Sequence, residues 1–150
     1  MAIRTKLVLL IVEDDEVLLR ALYMLFHKSK YTIASATDGA MAVQMAQRLK
    51  PDLILLDLLL PKMDGFEVLR IIKADQALKA TPVIVLSNLG DISDIEKAKT
   101  LGAEEYFIKA NTDLAVLESK VNKLLESKLS PQTNSSVSPT VGGQDGLTAA

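Results

Sequence analysis

The sequence predicts an α/β fold in which a doubly wound, five-stranded parallel sheet is covered by five helices. Short segments such as Leu7–Val12, Leu53–Leu56 and 83–86 are almost continuously apolar, which is typical of strands that are buried on both faces. Between them lie longer segments whose apolar residues recur at three- and four-residue intervals, as on one face of a helix. Five strand–helix units in succession favour a parallel sheet with right-handed crossovers.

The remaining elements are assigned in chain order. Weaker apolar runs at Tyr31–Ala36 and 106–108 complete the five strands. The apolar residues of the first helix form one stripe, which consists of Val17, Leu18, Ala21, Leu22, Leu25 and Phe26. The second helix is predicted over Gly39–Leu49, because Pro51 prevents its continuation. The other helices are predicted at 66–74, at 92–101 and at 114–125.

The strand order that we predict is the flavodoxin-like order 2-1-3-4-5. In an open parallel sheet of this kind, ligands bind beyond the carboxyl ends of the strands, at the point where the strand order reverses. The predicted order therefore places a functional site at the ends of strands 1 and 3.

Composition narrows the class of protein. The chain has 150 residues, of which 49% are hydrophobic and 24% charged, as is ordinary for one globular domain. The net charge of −2 gives no reason to expect a surface for nucleic acid. There is no cysteine, which excludes disulfides and thiolate metal sites. The first apolar run is much shorter than the roughly 20 residues of a membrane helix, and we expect a cytoplasmic protein.

We assign residues 1–128 to one folded domain and residues 129–150 to a disordered tail. The tail is rich in Ser, Pro, Thr and Gly and has no apolar period, so it has little to bury. A linker to a further domain is the alternative interpretation of this segment. The domain is accordingly expected to act alone on a partner protein or to have been separated from a larger protein.

Three carboxylates are predicted to meet at the site. Glu13 and Asp14 directly follow strand 1, and Asp57 closes strand 3. Crowded like charges raise carboxyl pKa values, and a hard divalent cation relieves that conflict; carboxylate and carbonyl oxygens suit Mg²⁺. Acids after a strand also make good helix N-caps, and we prefer that interpretation for Asp15 and Glu16. It fails for Asp57, because an apolar segment follows and no helix begins there.

Four sequence blocks carry a resemblance to a known family. They are residues 9–14 (LLIVED), 51–67 (PDLILLDLLLPKMDGFE), 82–87 (PVIVLS) and 102–109 (GAEEYFIK). In this order and at these intervals they resemble the receiver domains of two-component response regulators, over about residues 6–127. The resemblance implies that Asp57 accepts a phosphoryl group and that Mg²⁺ is held by Glu13, Asp14, Asp57 and the backbone carbonyl of Leu59. Because three acids are consecutive, Asp15 is the alternative to Glu13 as a metal ligand.

The resemblance also implies roles for three residues near the ends of strands 4 and 5. The Ser87 hydroxyl, at the end of strand 4, would donate to a phosphoryl oxygen. Lys109, which is expected to end strand 5, would pair first with Asp57 and then with the phosphate. Tyr106 would be the aromatic switch residue, which moves inward as Ser87 shifts toward the phosphate. In the loop that follows the phosphorylation site, Gly65 is expected to supply backbone freedom before the third helix.

The chain would then be a signalling switch rather than an enzyme, catalysing only its own phosphorylation and dephosphorylation. The implied phosphodonor is a sensor histidine kinase or a phosphotransfer protein, and the implied target is a downstream protein, as for stand-alone regulators of the chemotaxis type. We expect the conformational change to be read out on helix 4, strand 5 and helix 5. No direct contact with nucleic acid or membrane is expected, and the chain should be a monomer or a phosphorylation-dependent dimer.

Four positions depart from the family pattern. Ala110 follows Lys109 where the family commonly has proline, and we predict a trans peptide bond there, because a non-proline cis bond costs about 3–4 kcal/mol. Asn88 stands where a small residue is common. Leu59 and Leu89 occupy positions that are often polar in related receivers and that can orient the water that hydrolyses phosphoaspartate. We therefore predict slow loss of the phosphoryl group.

Three other functions fit the residues less well. An aspartate-nucleophile phosphatase usually has a second aspartate two residues after the nucleophile, where this chain has Leu59. A flavin-binding electron carrier needs a hydroxyl- and glycine-rich loop after strand 1, where the acids 13–16 would repel the flavin phosphate. A receiver that serves only as an interaction module would not need to keep Asp14, Asp57, Ser87 and Lys109 together.

Overall fold

A five-stranded parallel sheet forms the centre of the molecule. The computed structural model describes residues 6–28 and 31–129. The strands are β1 (Leu7–Val12), β2 (Tyr31–Ala36), β3 (Leu53–Leu56), β4 (Val83–Ser87) and β5 (Glu105–Ile108). They pair in the order β2-β1-β3-β4-β5, which confirms the predicted doubly wound, flavodoxin-like topology.

Helices follow the strands as predicted, with small differences at their ends. Within the described residues they are α1 (Glu16–Phe26), α2 (Gly39–Leu49), α3 (Gly65–Ala74), α4 (Ile92–Thr100) and α5 (Leu114–Leu129). The last helix runs four residues beyond the predicted end at residue 125 and includes Leu129, which the sequence assigned to the tail. The rest of the predicted disordered tail, residues 130–150, lies outside the described residues.

The two faces of the sheet are covered by different helices. On one face, α1 and α5 bury Phe26, Leu117 and Val121 against strand residues such as Leu9 and Ile11. On the other face, α2, α3 and α4 pack against a second cluster, which includes Leu10, Val12, Ala42, Ala46, Ile54, Leu56, Val68, Leu69, Ile72 and Ala98. Each fully buried leucine or isoleucine contributes about 1.5–3 kcal/mol. This two-sided burial explains why the strands are nearly continuous in apolar residues.

The strand register aligns the carboxyl ends of β1 and β3. Val12 pairs with Leu56 on one side and with Ala36 of β2 on the other. The next residue of each strand, Glu13 and Asp57, therefore leaves the sheet at the same edge.

None of the described helices combines the length and the apolar character that a bilayer crossing needs.

Lys109 is placed differently from the prediction. The sequence predicts that it ends the fifth strand, but β5 ends at Ile108 and Lys109 begins a 3₁₀ turn, Lys109–Asn111. The Thr112 hydroxyl closes this turn by donating a 2.6 Å hydrogen bond to the Ile108 carbonyl. No described peptide bond is cis, which confirms the prediction for the bond between Lys109 and Ala110.

Candidate functional site

Three acidic residues lie together where β1 and β3 end. Glu13, Asp14 and Asp57 each offer a carboxylate oxygen within 4.8 Å of the others. Backbone hydrogen bonds fix two of them, since Glu13 N–H donates to Ala36 O and Asp57 N–H donates to Val12 O, both at 3.0 Å. Glu13 and Asp57 are buried, whereas Asp14 is exposed. The cluster thus has two fixed carboxylates and one that is open to solvent.

Lys109 holds the two buried carboxylates of this cluster. Its Nζ lies 2.8 Å from Asp57 Oδ2 and 2.9 Å from Glu13 Oε1, and its side chain is only 16% exposed. Burial lowers the pKa of the lysine, but the hydrogen bonds with Asp57 and Glu13 outweigh burial and raise the pKa above its ordinary value. The ammonium group is therefore charged at neutral pH and is ready to pair with an anion.

Burial is also the main influence on the pKa of Glu13. It raises the pKa of the Glu13 carboxyl above its ordinary value, although the hydrogen bonds from Lys109 and from the Asp15 N–H act in the opposite direction. The Asp15 N–H donates to Glu13 Oε2 at 3.0 Å, so each Glu13 oxygen has a protein donor. Glu13 is consequently held more tightly by the protein than Asp14.

Asp15, the next acid in the chain, caps α1. Its side chain accepts hydrogen bonds from the N–H groups of Val17 at 3.0 Å and Leu18 at 3.3 Å, while Glu16 begins the helix. This confirms the N-cap interpretation of Asp15. The cluster contains the three acids that were predicted to meet, Glu13, Asp14 and Asp57. Which of the acids at 13–15 would hold a metal stays a prediction.

Hydrogen bonds hold both ends of the loop that follows Asp57. The Leu59 N–H donates to Asp57 Oδ1 at 3.1 Å, and the Gly65 N–H donates to Leu58 O at 2.9 Å. The expected reason for the glycine at position 65 is wrong, because its backbone has no positive φ. Space is the reason instead, since a Cβ there would lie 2.4 Å from the Asp57 carbonyl oxygen.

Ser87 lies on β4 and Tyr106 lies on the neighbouring strand β5, and both residues contact Leu89. Ser87 is fully buried at the end of β4, and its hydroxyl oxygen accepts a 3.4 Å hydrogen bond from the Leu89 N–H. The Tyr106 hydroxyl donates to the Leu89 carbonyl at 2.6 Å. Burial raises the pKa of Tyr106, and its ring packs against the α2–α4 core. The side chain of Tyr106 is thus partly buried.

Two features of the site were missed by sequence reasoning. One is the second contact of Lys109, with Glu13, which the strand pattern does not reveal. The other is the contact of the loop after Asp57 with the start of α2, where the Gly39 N–H donates to Pro61 O. Its only sequence signal is an acid followed by glycine at positions 38 and 39, which also suits an ordinary helix start.

Chemically, the arrangement suits a hard cation and a phosphoryl group. Three carboxylates against one lysine leave an excess of negative charge, and oxygen ligands in this number fit Mg²⁺. Asp57 has one oxygen on Lys109 and one on a backbone N–H, so its carboxylate is held in a fixed orientation. A lysine beside a carboxylate nucleophile is also placed to neutralise charge in phosphoryl transfer.

This chain is similar to a known protein family. A family model described as the response regulator receiver domain matches residues 9–122. The chain belongs to this family. Receiver domains of this family are signalling switches that are phosphorylated on aspartate in two-component systems, and response regulators receive that phosphoryl group from histidine kinases.

Curated relatives of this receiver are longer proteins. RpaA of Synechocystis, named a DNA-binding dual master transcriptional regulator, is 34% identical over 78% of this chain and 48% of its own length. PrrA of Mycobacterium tuberculosis, a transcriptional regulatory protein, is 35% identical over 89% of this chain and 56% of its own. The receiver thus spans about half the length of these relatives.

Solved receiver structures share the fold. The phosphorylated cyanobacterial phytochrome response regulator RcpA is 34% identical, with a TM-score of 0.69, over 85% of this chain and 96% of its own. A manganese-bound form of the response regulator Rcp1 is 33% identical, with a TM-score of 0.67, over 80% of this chain and 91% of its own. Both similarities cover nearly the whole of those proteins.

Proposed function

We propose that this receiver accepts a phosphoryl group on Asp57 from a sensor histidine kinase or a phosphotransfer protein, in a reaction that requires Mg²⁺. The observation that carries the proposal is the position of Asp57, which lies in the acidic cluster with one oxygen bonded to Lys109. A buried carboxylate that is fixed beside a cation and beside two further acids is the arrangement that phosphoryl transfer to aspartate needs.

The metal would be held by Glu13, Asp14, Asp57 and the backbone carbonyl of Leu59. When bound, Mg²⁺ supplies positive charge that neutralises the phosphoryl oxygens and orients them. The chemistry of the donor set fits this ion, because the cluster is made of carboxylate oxygens alone. Asp14 is the exposed member and is the most accessible to an incoming cation.

The chain's own residues carry out the transfer. An Asp57 carboxylate oxygen forms a bond to phosphorus as the bond from phosphorus to the donor's histidine nitrogen, or to the oxygen of a small acyl phosphate, breaks. Lys109 then pairs with a phosphoryl oxygen, and the Ser87 hydroxyl donates to another. The chain acts on itself in this reaction and in the later hydrolysis, and it is a switch rather than an enzyme for a separate substrate.

The signal would pass through Ser87 and Tyr106 to a partner protein. Both residues contact Leu89, so a shift of Ser87 toward the phosphate changes the surroundings of the tyrosine hydroxyl. The surface of α4, β5 and α5 would then bind a downstream protein or a second copy of the receiver. We propose a cytoplasmic protein whose receiver makes no direct contact with nucleic acid.

Intact-mass measurement after incubation with acetyl phosphate and Mg²⁺ tests this function. The native chain should gain one phosphoryl group, and Asp57→Asn should gain none. Asp64→Asn is the matched control, because Asp64 is an exposed N-cap of α3 and asparagine caps equally well. Labelling that persists in Asp57→Asn, or with the metal chelated, would show that the assignment is wrong.

A further inference from the structure

The loop between Asp57 and α3 has an exposed turn in its middle, although Leu60 and Met63 pack against the core on either side of that turn. Its two ends are held by the hydrogen bonds of the Leu59 and Gly65 N–H groups described above. Between them, Pro61 and Lys62 are exposed to solvent, and Lys62 has a left-handed backbone with φ of 70°. A contact from another element therefore helps to hold this turn, and with it the Leu59 carbonyl.

The start of α2 supplies that contact through backbone atoms. The Pro61 carbonyl accepts hydrogen bonds from Met63 N–H at 2.8 Å and from Gly39 N–H at 3.3 Å. The packing is so close that a Cβ at position 39 would lie 1.9 Å from the Met63 carbonyl oxygen and 2.7 Å from its carbonyl carbon. Since both are backbone atoms, no side-chain rotation can make room for a methyl group there.

A charged pair lies beside this contact but is weak. Lys62 Nζ is 3.7 Å from Asp38 Oδ2, and the lysine side chain is 71% exposed, so solvent screens the interaction. Asp38 uses its other oxygen to cap α2, accepting a 2.7 Å hydrogen bond from Met41 N–H. Of the contacts between α2 and the loop, the backbone packing at Gly39 is therefore the close one, and the ion pair adds little.

We infer that Gly39 is a positioning residue for the metal site: by admitting the Pro61–Met63 turn against α2, it sets the place of the Leu59 carbonyl. The inference rests on the proposed function, because that function makes this carbonyl a ligand. Residues that orient a ligand without touching the metal typically change metal affinity 10- to 100-fold. Gly39 touches neither the metal nor the phosphoryl group.

The first test compares the Mg²⁺ dissociation constants of three variants with that of the native chain, by calorimetry on metal-stripped protein. Gly39→Ala should bind Mg²⁺ roughly tenfold or more weakly. Gly90→Ala is the matched control, because its Cβ would meet Ile108 at an ordinary 3.5 Å, and it should stay within about twofold. Lys62→Ala should also stay within about twofold. Circular dichroism must show that each variant is folded.

Two outcomes of this comparison overturn the inference. One is a folded Gly39→Ala that binds Mg²⁺ as the native chain does, and the other is an equal loss in Gly39→Ala and Gly90→Ala. A native chain that binds Mg²⁺ but is not labelled on Asp57 would instead refute the proposed function. The two failures are therefore distinguishable.

A second test uses the native chain and applies even if Gly39→Ala does not fold. Coupling between two sites is reciprocal, so a loop that favours the metal must in turn be stabilised by the metal. Hydrogen exchange of the Gly39 amide should slow on addition of Mg²⁺, while the Gly102 amide, which bonds Lys99 O in the turn after α4, should not change. Equal exchange of the Gly39 amide with and without Mg²⁺ would rule the inference out.

Discussion

The ammonium group of Lys109 lies 2.8 Å from Asp57 Oδ2. Lys109 follows β5 and Asp57 follows β3, and β4 lies between these two strands in the sheet. The same group lies 2.9 Å from Glu13, so one cation is shared by two buried carboxylates. It lowers the repulsion between them but cannot cancel both charges. The remaining negative charge is what a divalent cation would neutralise.

Removal of the Lys109 ammonium group should destabilise the domain, because the repulsion between Glu13 and Asp57 is then no longer reduced. In metal-free buffer, Lys109→Met should lower the free energy of unfolding by roughly 3 kcal/mol, because loss of one partner leaves buried charges unpaired. Urea denaturation measures the change. In the double variant Lys109→Met, Asp57→Asn the loss should be smaller, since one of the two carboxylate charges is gone. A double variant that is no more stable than Lys109→Met would contradict the shared-cation account.

Mg²⁺ should stabilise the folded chain through Asp14 and not through Asp15. At a concentration one hundred times the dissociation constant, a ligand of the folded state adds about 2.7 kcal/mol to the free energy of unfolding. Asp14→Asn should lose most of this increment. Asp15→Ala should cost about 1 kcal/mol through the lost helix cap yet keep the Mg²⁺ increment. Loss of the increment in Asp15→Ala would instead support the alternative assignment.

The lifetime of the phosphorylated state is predicted to be long. Leu59 and Leu89 offer no hydrogen bond to a hydrolytic water, and general acid/base-type positioning is worth roughly 10²-fold or more. The double variant Leu59→Asn, Leu89→Glu should therefore lose phosphate faster than the native chain, as followed on purified phosphoprotein.

The structure indicates that these two leucines should contribute unequally. Leu59 is 52% exposed and follows Asp57 by two residues, whereas Leu89 packs against the α2–α4 core. We expect Leu59→Asn alone to account for most of the acceleration. A double variant that is no faster than the native chain would mean that neither leucine sets the lifetime.

The stability of the domain should fall at high pH through Tyr31. Burial raises the pKa of this tyrosine above 10.0, with the charges of Glu126 and Glu118 adding to the effect. Because the pKa of Tyr31 is higher in the folded chain than in the unfolded chain, the contribution of Tyr31 to stability is fully present below about pH 10. This contribution is lost as pH rises through the pKa of the folded state.

Urea denaturation across this pH range, with Tyr31→Phe for comparison, measures the effect. At neutral pH the variant should be less stable by about 1 kcal/mol, since the Tyr31 hydroxyl donates a 2.6 Å hydrogen bond to Asn122 Oδ1. Above pH 10 the difference between the two proteins should shrink. A difference that stays constant with pH would show that Tyr31 does not titrate as proposed.

The elements, their order and the meeting of Glu13 with Asp57 could all be predicted from the sequence. These follow from local rules, since continuous apolar runs predict buried parallel strands and the residue after each strand lies at a known edge of the sheet. The N-cap role of Asp15 is equally local, because it depends only on the two or three residues that follow.

Contacts between distant segments could not be predicted from the sequence and became visible only in the folded chain. Lys109 contacts both Glu13 and Asp57 from the 3₁₀ turn that follows β5, in which the Thr112 hydroxyl donates to the Ile108 carbonyl. Gly39 touches the Pro61–Met63 turn because α2 and the loop after β3 leave the sheet at the same edge. Such contacts depend on loop conformation and on side-chain packing across many residues, and neither of these is encoded in the period of the apolar pattern.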